Sequence, residues 1–530
     1  MEDRAMNWQP AWTTAVRIES GGRYPLGLNR FHNGLEEILI KSITMQANRL
    51  RYYTYCCWAI GDIERSEACQ NRAEFVQAFQ QRETALAIGL CLSAPDYSVP
   101  GSDRISRMVT ADADTYPCDF SIMQSNDLGA FGLYYIGTSY ALGLVENTEE
   151  GMMKLTPAGR MLYEIAEKRY RRHKPTYYVR YRGQSPVPTA VLREWGETND
   201  FANMRSPDCQ TEREFFQSLL FRLNQNNPGD CRRDTLAFFL ACIAHCEESC
   251  VPFTEEVLSH IHTYRCYQRE SGEVVPFAVP EQFQDVHFHW AIYEGHVYFR
   301  GWLSQVFQVF LNYLRGSANG ASLEAFINEI DADSFNETIT RFLGVRTDWL
   351  RESMGNILDQ IGGPPDLTNP FSEAQVTADE RYESLSGIMA KFVLVMAALW
   401  QRFREVRDDR RYQCVALNLS SDLWFNVLFQ LPTLQQMPAV RFLQKMVQAY
   451  VLNQHDRIMI EKNDLRRCWF TTEQGKYFFQ ADVNVIWRPA KFNTIMNFLC
   501  DMNLIELQDD QRLRLTTEGR TLSQRLKAGE

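Results

Sequence analysis

The densest chemistry in the chain lies at 168–182, where seven Lys or Arg, one His and four Tyr occur without an acid. Cations neutralise a phosphate backbone and aromatic rings stack on bases. Arg169, Arg171, Arg172, Lys174, Arg180 and Arg182 are therefore the candidate nucleic-acid ligands. The same run also reads as a solvated helix end, where cations are favoured by the helix dipole, leading into a tyrosine-rich strand. A second candidate set is Lys491, Asn493, Thr494 and Asn497, on a helix whose Lys and Asn side chains suit base edges in a groove. The comparable helix at 130–142 offers Tyr134, Tyr135, Thr138, Ser139 and Tyr140 but no cation. That composition points to a structural or protein-contacting surface.

Metal and catalytic chemistry are thinner. Cys242, Cys246 and Cys250 recur every four residues near His245, His260, His262 and Cys266. Zinc takes four such ligands tetrahedrally, but three thiols along one helix are too extended to share an ion, and free cysteine is a common core residue. His287, His289 and His296 flank an expected β-hairpin across 286–302, turning at Glu294 and Gly295, with Asp285 the nearby acid. A structural pair is the plainer reading, so no metal ligand, catalytic residue or cofactor is assigned. The nucleotide-binding Gly-x-x-x-x-Gly-Lys pattern fails because Phe470 stands where Gly475-Lys476 would need a first glycine. His-Glu-x-x-His, Gly-x-Ser-x-Gly and the dinucleotide glycine fingerprint are absent from the sequence.

The elements that would carry the basic residues repeat. Residues 142–162 match 502–522 at a constant offset of 360 without a gap. Leu144, Glu146, Leu155, Thr156, Gly159, Arg160 and Leu162 recur as Leu504, Glu506, Leu515, Thr516, Gly519, Arg520 and Leu522. Each copy reads as a helix, a short strand, a polar turn, a second strand with alternating apolar residues, and a Thr-capped closing helix. That is the pattern of a winged helix. The expected fold is mainly α with small β-wings, two winged-helix-like units flanking a helical middle.

Turn and linker signals divide the chain into 1–185 (helical plus winged helix), 186–365 (helical, with the hairpin) and 366–530 (helical plus winged helix). Pro186 and Pro188 mark the first boundary, and Gly362-Gly363-Pro364-Pro365 with Pro370 the second. Helices are expected through 26–90, 378–408 and 425–453, a loop across 92–119, short strands around Gln474-Gly475, and a helix opened by Pro489. With 530 residues, 45% hydrophobic, the chain is long enough for several cores. Its net charge of −11 confines any nucleic-acid contact to a local basic patch. The irregularly spaced 14 cysteines and the lack of a signal-like or membrane-spanning apolar run suit the cytoplasm.

The segment Pro25-Leu26-Gly27-Leu28, the helix at 35–40 and Arg49-Leu50-Arg51-Tyr52-Tyr53 running to Trp58 precede Leu155-Thr156-Pro157-Ala158-Gly159-Arg160. Over roughly 25–165 this order resembles accessory subunits of bacterial antiphage-defence gene clusters, such as Druantia-like systems. The resemblance implies a non-catalytic component of a multi-protein antiviral system, working with a large helicase or nuclease and touching DNA or RNA, without a membrane. A free-standing DNA-binding regulator is the alternative, and an enzyme with a site hidden from sequence, near the three histidines, is a third.

Overall fold

The computed structural model describes residues 25–66, 69, 71–94, 101–110, 113–222, 231–381, 383–412, 434–462, 468–485, 487, 491–508 and 512–527. Helices dominate, and the strands among the described residues form five two-stranded antiparallel ladders. The described residues group into two bodies. One draws on Glu36–Leu258, Phe277–Phe288 and Pro489–Glu530, the other on Met1–Leu35, Ser259–Pro276 and His289–Arg488. Both copies of the repeat belong to the first.

The first body is built around the helix Leu50–Ser66, in which every residue from 50 to 63 is buried. A helix buried on all faces must place its polar groups against partners inside the protein, and its tyrosines and Asp62 find theirs. Tyr52 donates to Glu83 at 2.7 Å, Tyr53 to Thr138 at 2.8 Å and Tyr55 to the Arg82 carbonyl at 2.7 Å. Asp62 takes Nε and Nη2 of Arg82 at 3.0 and 2.6 Å. Arg72–Ser93 packs beside this helix and Pro157–His173 across it.

The two copies of the repeat share their strand register and their capping bonds. Val145–Asn147 pairs Met153–Leu155, and Ile505–Leu507 pairs Leu513–Leu515. Val145 faces Leu155 as Ile505 faces Leu515. The preceding helix ends on a left-handed residue, Gly143 (φ 69°) or Asn503 (φ 58°), which frees the chain to turn into the strand. Leu144 N–H then donates to Ser139, and Leu504 to Leu499, both at 2.9 Å. Thr156 and Thr516 cap the closing helices by accepting from Gly159 and Gly519 at 3.2 and 3.0 Å. The strand turns match too: Thr148 N–H donates to Met152 and Gln508 to Arg512. The rest of the second turn, 509–511, lies outside the described residues.

The repeated Gly-Arg has a packing cause in both copies. A Cβ on Gly159 would stand 2.0 Å from the Leu144 carbonyl oxygen, and one on Gly519 would stand 1.9 Å from that of Leu504. Only glycine admits this strand-to-helix approach. Arg160 reaches Glu64 on Leu50–Ser66 at 2.7 Å, and Arg520 reaches Glu247 on Arg232–Glu248. Each closing helix is thus tied to a long helix outside its own repeat.

The second body centres on Leu385–Phe403, which is long and apolar enough by composition to cross a membrane, with 83% of that stretch buried inside the protein. Arg402, near its end, holds Glu373 through Nε at 2.8 Å and Nη2 at 3.0 Å, and Tyr264 donates to the same carboxylate at 3.1 Å. The Gly362-to-Pro370 stretch is a loop within this body, where the Pro365 carbonyl accepts from Arg402. Phe470–Glu473 and Lys476–Phe479 form a hairpin whose turn residues Gln474 and Gly475 both have positive φ, as the tight hairpin turn requires.

Several sequence expectations are corrected. Residues 286–302 do not form a hairpin; they lie within one helix, Gln284–Arg315, and every residue from 292 to 303 is buried. An apolar run buried all round carries no usable period, so alternation misleads there. The hairpin of this region lies earlier, at Cys266–Gln268 and Val274–Pro276. The expected loop at 92–119 contains a short helix, Ser102–Met108, and the expected helix at 378–408 is confined to Leu385–Phe403. Of the helix at 425–453, the part before 434 lies outside the described residues, as does Pro489. Beyond Pro188 the chain continues in the same body with the helix Thr189–Thr198.

Candidate nucleic-acid interface

The basic segment does not form a uniform strip. Its first half is the end of Pro157–His173, its second a short π-helical segment, Tyr177–Tyr181, folded back against that helix. Tyr178 lies 5.7 Å ring to ring from Tyr170 and 6.5 Å from Trp58. This return brings the two halves around three buried carboxylates, Glu167 of the same helix and Asp62 and Glu212 of other helices.

Three of those carboxylates are each shared by two arginines. Glu212 takes Arg51 at 3.1 Å and Arg169 at 2.7 Å. Asp62 takes Arg82 at 2.6 Å and Arg182 at 2.8 Å. Glu167 takes Arg65 at 3.4 Å and Arg171 at 3.0 Å, together with the Tyr178 hydroxyl at 2.9 Å and the Trp58 indole at 3.3 Å. Each trio, with both arginines and the carboxylate charged, sums to one positive charge. Arg172 pairs singly with Asp208 at 3.0 Å, with His173 beside the same carboxylate. Lys168, Lys174 and Arg180 are exposed and make no ion pair among the described residues.

Depth separates these groups. Arg51 is buried with Glu212, and Arg169, its side chain only 9% exposed, points inward to the same carboxylate, so it is taken up by an interior ion pair and offers little to a phosphate. Burial alone would push the Glu212 carboxyl up, but Arg51 and Arg169 outweigh it and hold it below the usual range. At the surface the order inverts. Arg65, Arg171 and Arg182 are 60%, 56% and 40% exposed, while the carboxylates beneath them, Glu167 and Asp62, are 9% and 8% exposed. Guanidinium groups face solvent over a buried acidic layer. The Arg182 guanidinium carbon sits 4.6 Å from the Tyr178 ring centroid, a cation–π contact. Tyr178 and Glu167 both favour the charged form of Arg171.

Arg65 was not legible as a site residue. It lies at the end of Leu50–Ser66, about 100 residues from the basic segment in sequence, and the shared Glu167 connects them. Its one sequence signal is a cation in the last helical turn.

The second candidate set is mostly enclosed. Lys491 is ion-paired with Glu36, and Thr494 is buried, its hydroxyl directed at the Met45 carbonyl. Asn493 is exposed and Asn497 half-buried. The preceding helix of the first copy presents Leu133, Gly137 and Ala141 to solvent, with Tyr134 and Tyr140 half-buried.

The histidines do not converge. His287 belongs to the first body, 6.0 Å ring to ring from Phe238, while His289 and His296 belong to the second. On one helix, positions two apart point to different sides, so the shared strand face expected for His287 and His289 does not exist. Burial, with His32 and Arg300 nearby, pushes the His296 imidazole well below its ordinary range. Cys242 and Cys246 are buried on Arg232–Glu248, and Cys250 lies exposed just beyond it. Among the described residues no group of three or more His, Cys, Asp or Glu is placed to hold a metal ion.

No protein-family model, curated protein or solved structure matches the chain.

Proposed function

We propose that this chain is a non-catalytic component of a multi-protein bacterial antiviral defence system that contacts nucleic acid through the arginine platform of its first body. In this reading the two equivalent helix–hairpin–helix repeats are winged helices that serve as framework, and a partner helicase or nuclease in the cytoplasm carries the chemistry. The defence setting comes from the resemblance over 25–165. The observation that carries the nucleic-acid contact is the layering of Arg65, Arg171 and Arg182 over the buried Glu167 and Asp62. In a chain of net charge −11, two arginines on each carboxylate create local positive charge where cations face outward. Phosphate contact is the use such a surface serves.

The test is filter binding of the full chain at several salt concentrations. Replacing Arg65 and Arg171 together with Gln should weaken binding and lower the slope of log K against log salt. The loss should be about 0.7 per lost phosphate contact on single strands or about 0.9 on duplex. Arg351→Gln, a control on an exposed arginine of the second body, should change neither. Binding by the double variant with unaltered affinity and slope would remove the platform from the reading.

A further inference from the structure

We infer that the platform takes single-stranded rather than duplex nucleic acid, with an unpaired base stacking on Arg182 over Tyr178 while Arg65 and Arg171 hold adjoining phosphates. This rests on the nucleic-acid reading above.

The groove route is poorly equipped on the first repeat and partly covered on the second. Reading a duplex needs an element that carries cations or amides into a groove about 12 Å wide. The first repeat's helix shows Leu133, Gly137 and Ala141, with no cation or amide among them. In the second, the positions equivalent to Tyr134, Ile136 and Ala141 are Thr494, Met496 and Asp501, all buried. Asp501 accepts the Leu50 N–H at 3.0 Å and pairs with Arg49 at 3.1 Å. Residues 45–50 of the same body thus cover part of that helix and take up Asp501 and Thr494, which leaves Asn493 as its one exposed amide beside a half-buried Asn497.

The platform has the other geometry. Arg65 and Arg171 converge on one oxygen of Glu167, so they can serve neighbouring phosphates of one strand, not two strands across a groove. Behind them, rings are layered from core to surface: Trp58 to Tyr170 at 5.0 Å, Tyr170 to Tyr178 at 5.7 Å, then Arg182 over Tyr178 at 4.6 Å. The outer member of that series is a guanidinium, whose plane stacks on splayed-out bases. A paired base inside a duplex cannot offer its face there. Lys174 and Arg180 lie nearby in sequence to extend the backbone contact.

Fluorescence anisotropy with the full chain distinguishes the outcomes. The probes are an oligothymidine, the same strand annealed to oligoadenosine, and an abasic strand of equal length. Oligothymidine should bind more tightly than the duplex. It should also bind roughly tenfold more tightly than the abasic strand, the size of one stacked base. Arg182→Lys, which keeps the charge and loses the plane, should cost single-strand affinity by a similar factor and leave duplex binding unchanged. The abasic comparison uses the unaltered protein and is independent of how any variant folds. Equal affinity for all three probes would overturn the single-strand inference and leave charge neutralisation standing. Absence of binding to every probe would overturn the nucleic-acid reading as well.

Discussion

Glu83 and Asp501 are carboxylic acids enclosed by the first body, and they respond to pH in the opposite sense from Glu212. Burial raises Glu83 to about 7, against the opposing bonds from the Tyr52 hydroxyl and the Phe131 and Ala130 N–H groups. The backbone can wrap this carboxylate because residue 129 is glycine at φ 59°, where a Cβ would stand 1.7 Å from Oε2. Asp501 is likewise raised by burial, to about 6, despite Arg49. Between the unfolded carboxyl value of about 4.3 and about 7 the folded state binds a proton that the unfolded chain has released. Stability should therefore fall as pH rises through that window and level off above it. Glu212, held low, loses its contribution only in acid, below the unfolded carboxyl value. The Glu83 term is on the order of 3 kcal/mol across the window. Urea midpoints measured from about pH 5 to about pH 8 should decline in the wild type and decline less in Glu83→Gln. Parallel profiles would show that Glu83 is ionised throughout.

At the scale of elements, the repeated Gly-Arg separates two contributions that differ in size. Gly519→Ala drives a Cβ against the Leu504 carbonyl, which is backbone and cannot yield cheaply, so a loss of about 1–3 kcal/mol is expected. Arg520→Ala removes one half-exposed ion pair to Glu247, worth at most about 1 kcal/mol. Thermal melts should therefore rank Gly519→Ala well below Arg520→Ala, and neither should alter oligonucleotide affinity. The reverse ranking would mean that the arginine carries the tie between closing helix and long helix. These elements were legible in sequence because their signals are local: alternation across a few residues, a Thr cap, and the turn residues Gln474 and Gly475. The helix Gln284–Arg315 was not, because burial on every side erased its period. The candidate site was legible only in part. The sequence marks Arg171 and Arg182, yet nothing in it distinguishes them from Arg169. That difference in depth comes from Glu212, on a helix more than 40 residues further along. Arg65 enters through a carboxylate that carries no pattern of its own.

For the molecule as a whole, charge acts at two ranges. The chain carries −11 and should repel a nucleic acid at long distance, while the platform attracts it at contact. Which wins depends on screening. At about 0.1 M salt the Debye length is about 10 Å, so a bound strand senses mainly the platform; at about 0.01 M it is about 30 Å, and the acidic remainder comes into view. Counterion release predicts a straight line of log K against log salt for an isolated set of cations. For this chain the line should hold from about 0.3 M down to about 0.1 M and then flatten toward about 0.01 M, as unscreened repulsion opposes the gain. A measured plot that stays straight to the lowest salt would show that the acidic residues lie too far from the bound strand to matter. A plot that flattens, with the Arg65 and Arg171 double variant flattening at weaker affinity, would place both ranges of charge in the same binding event.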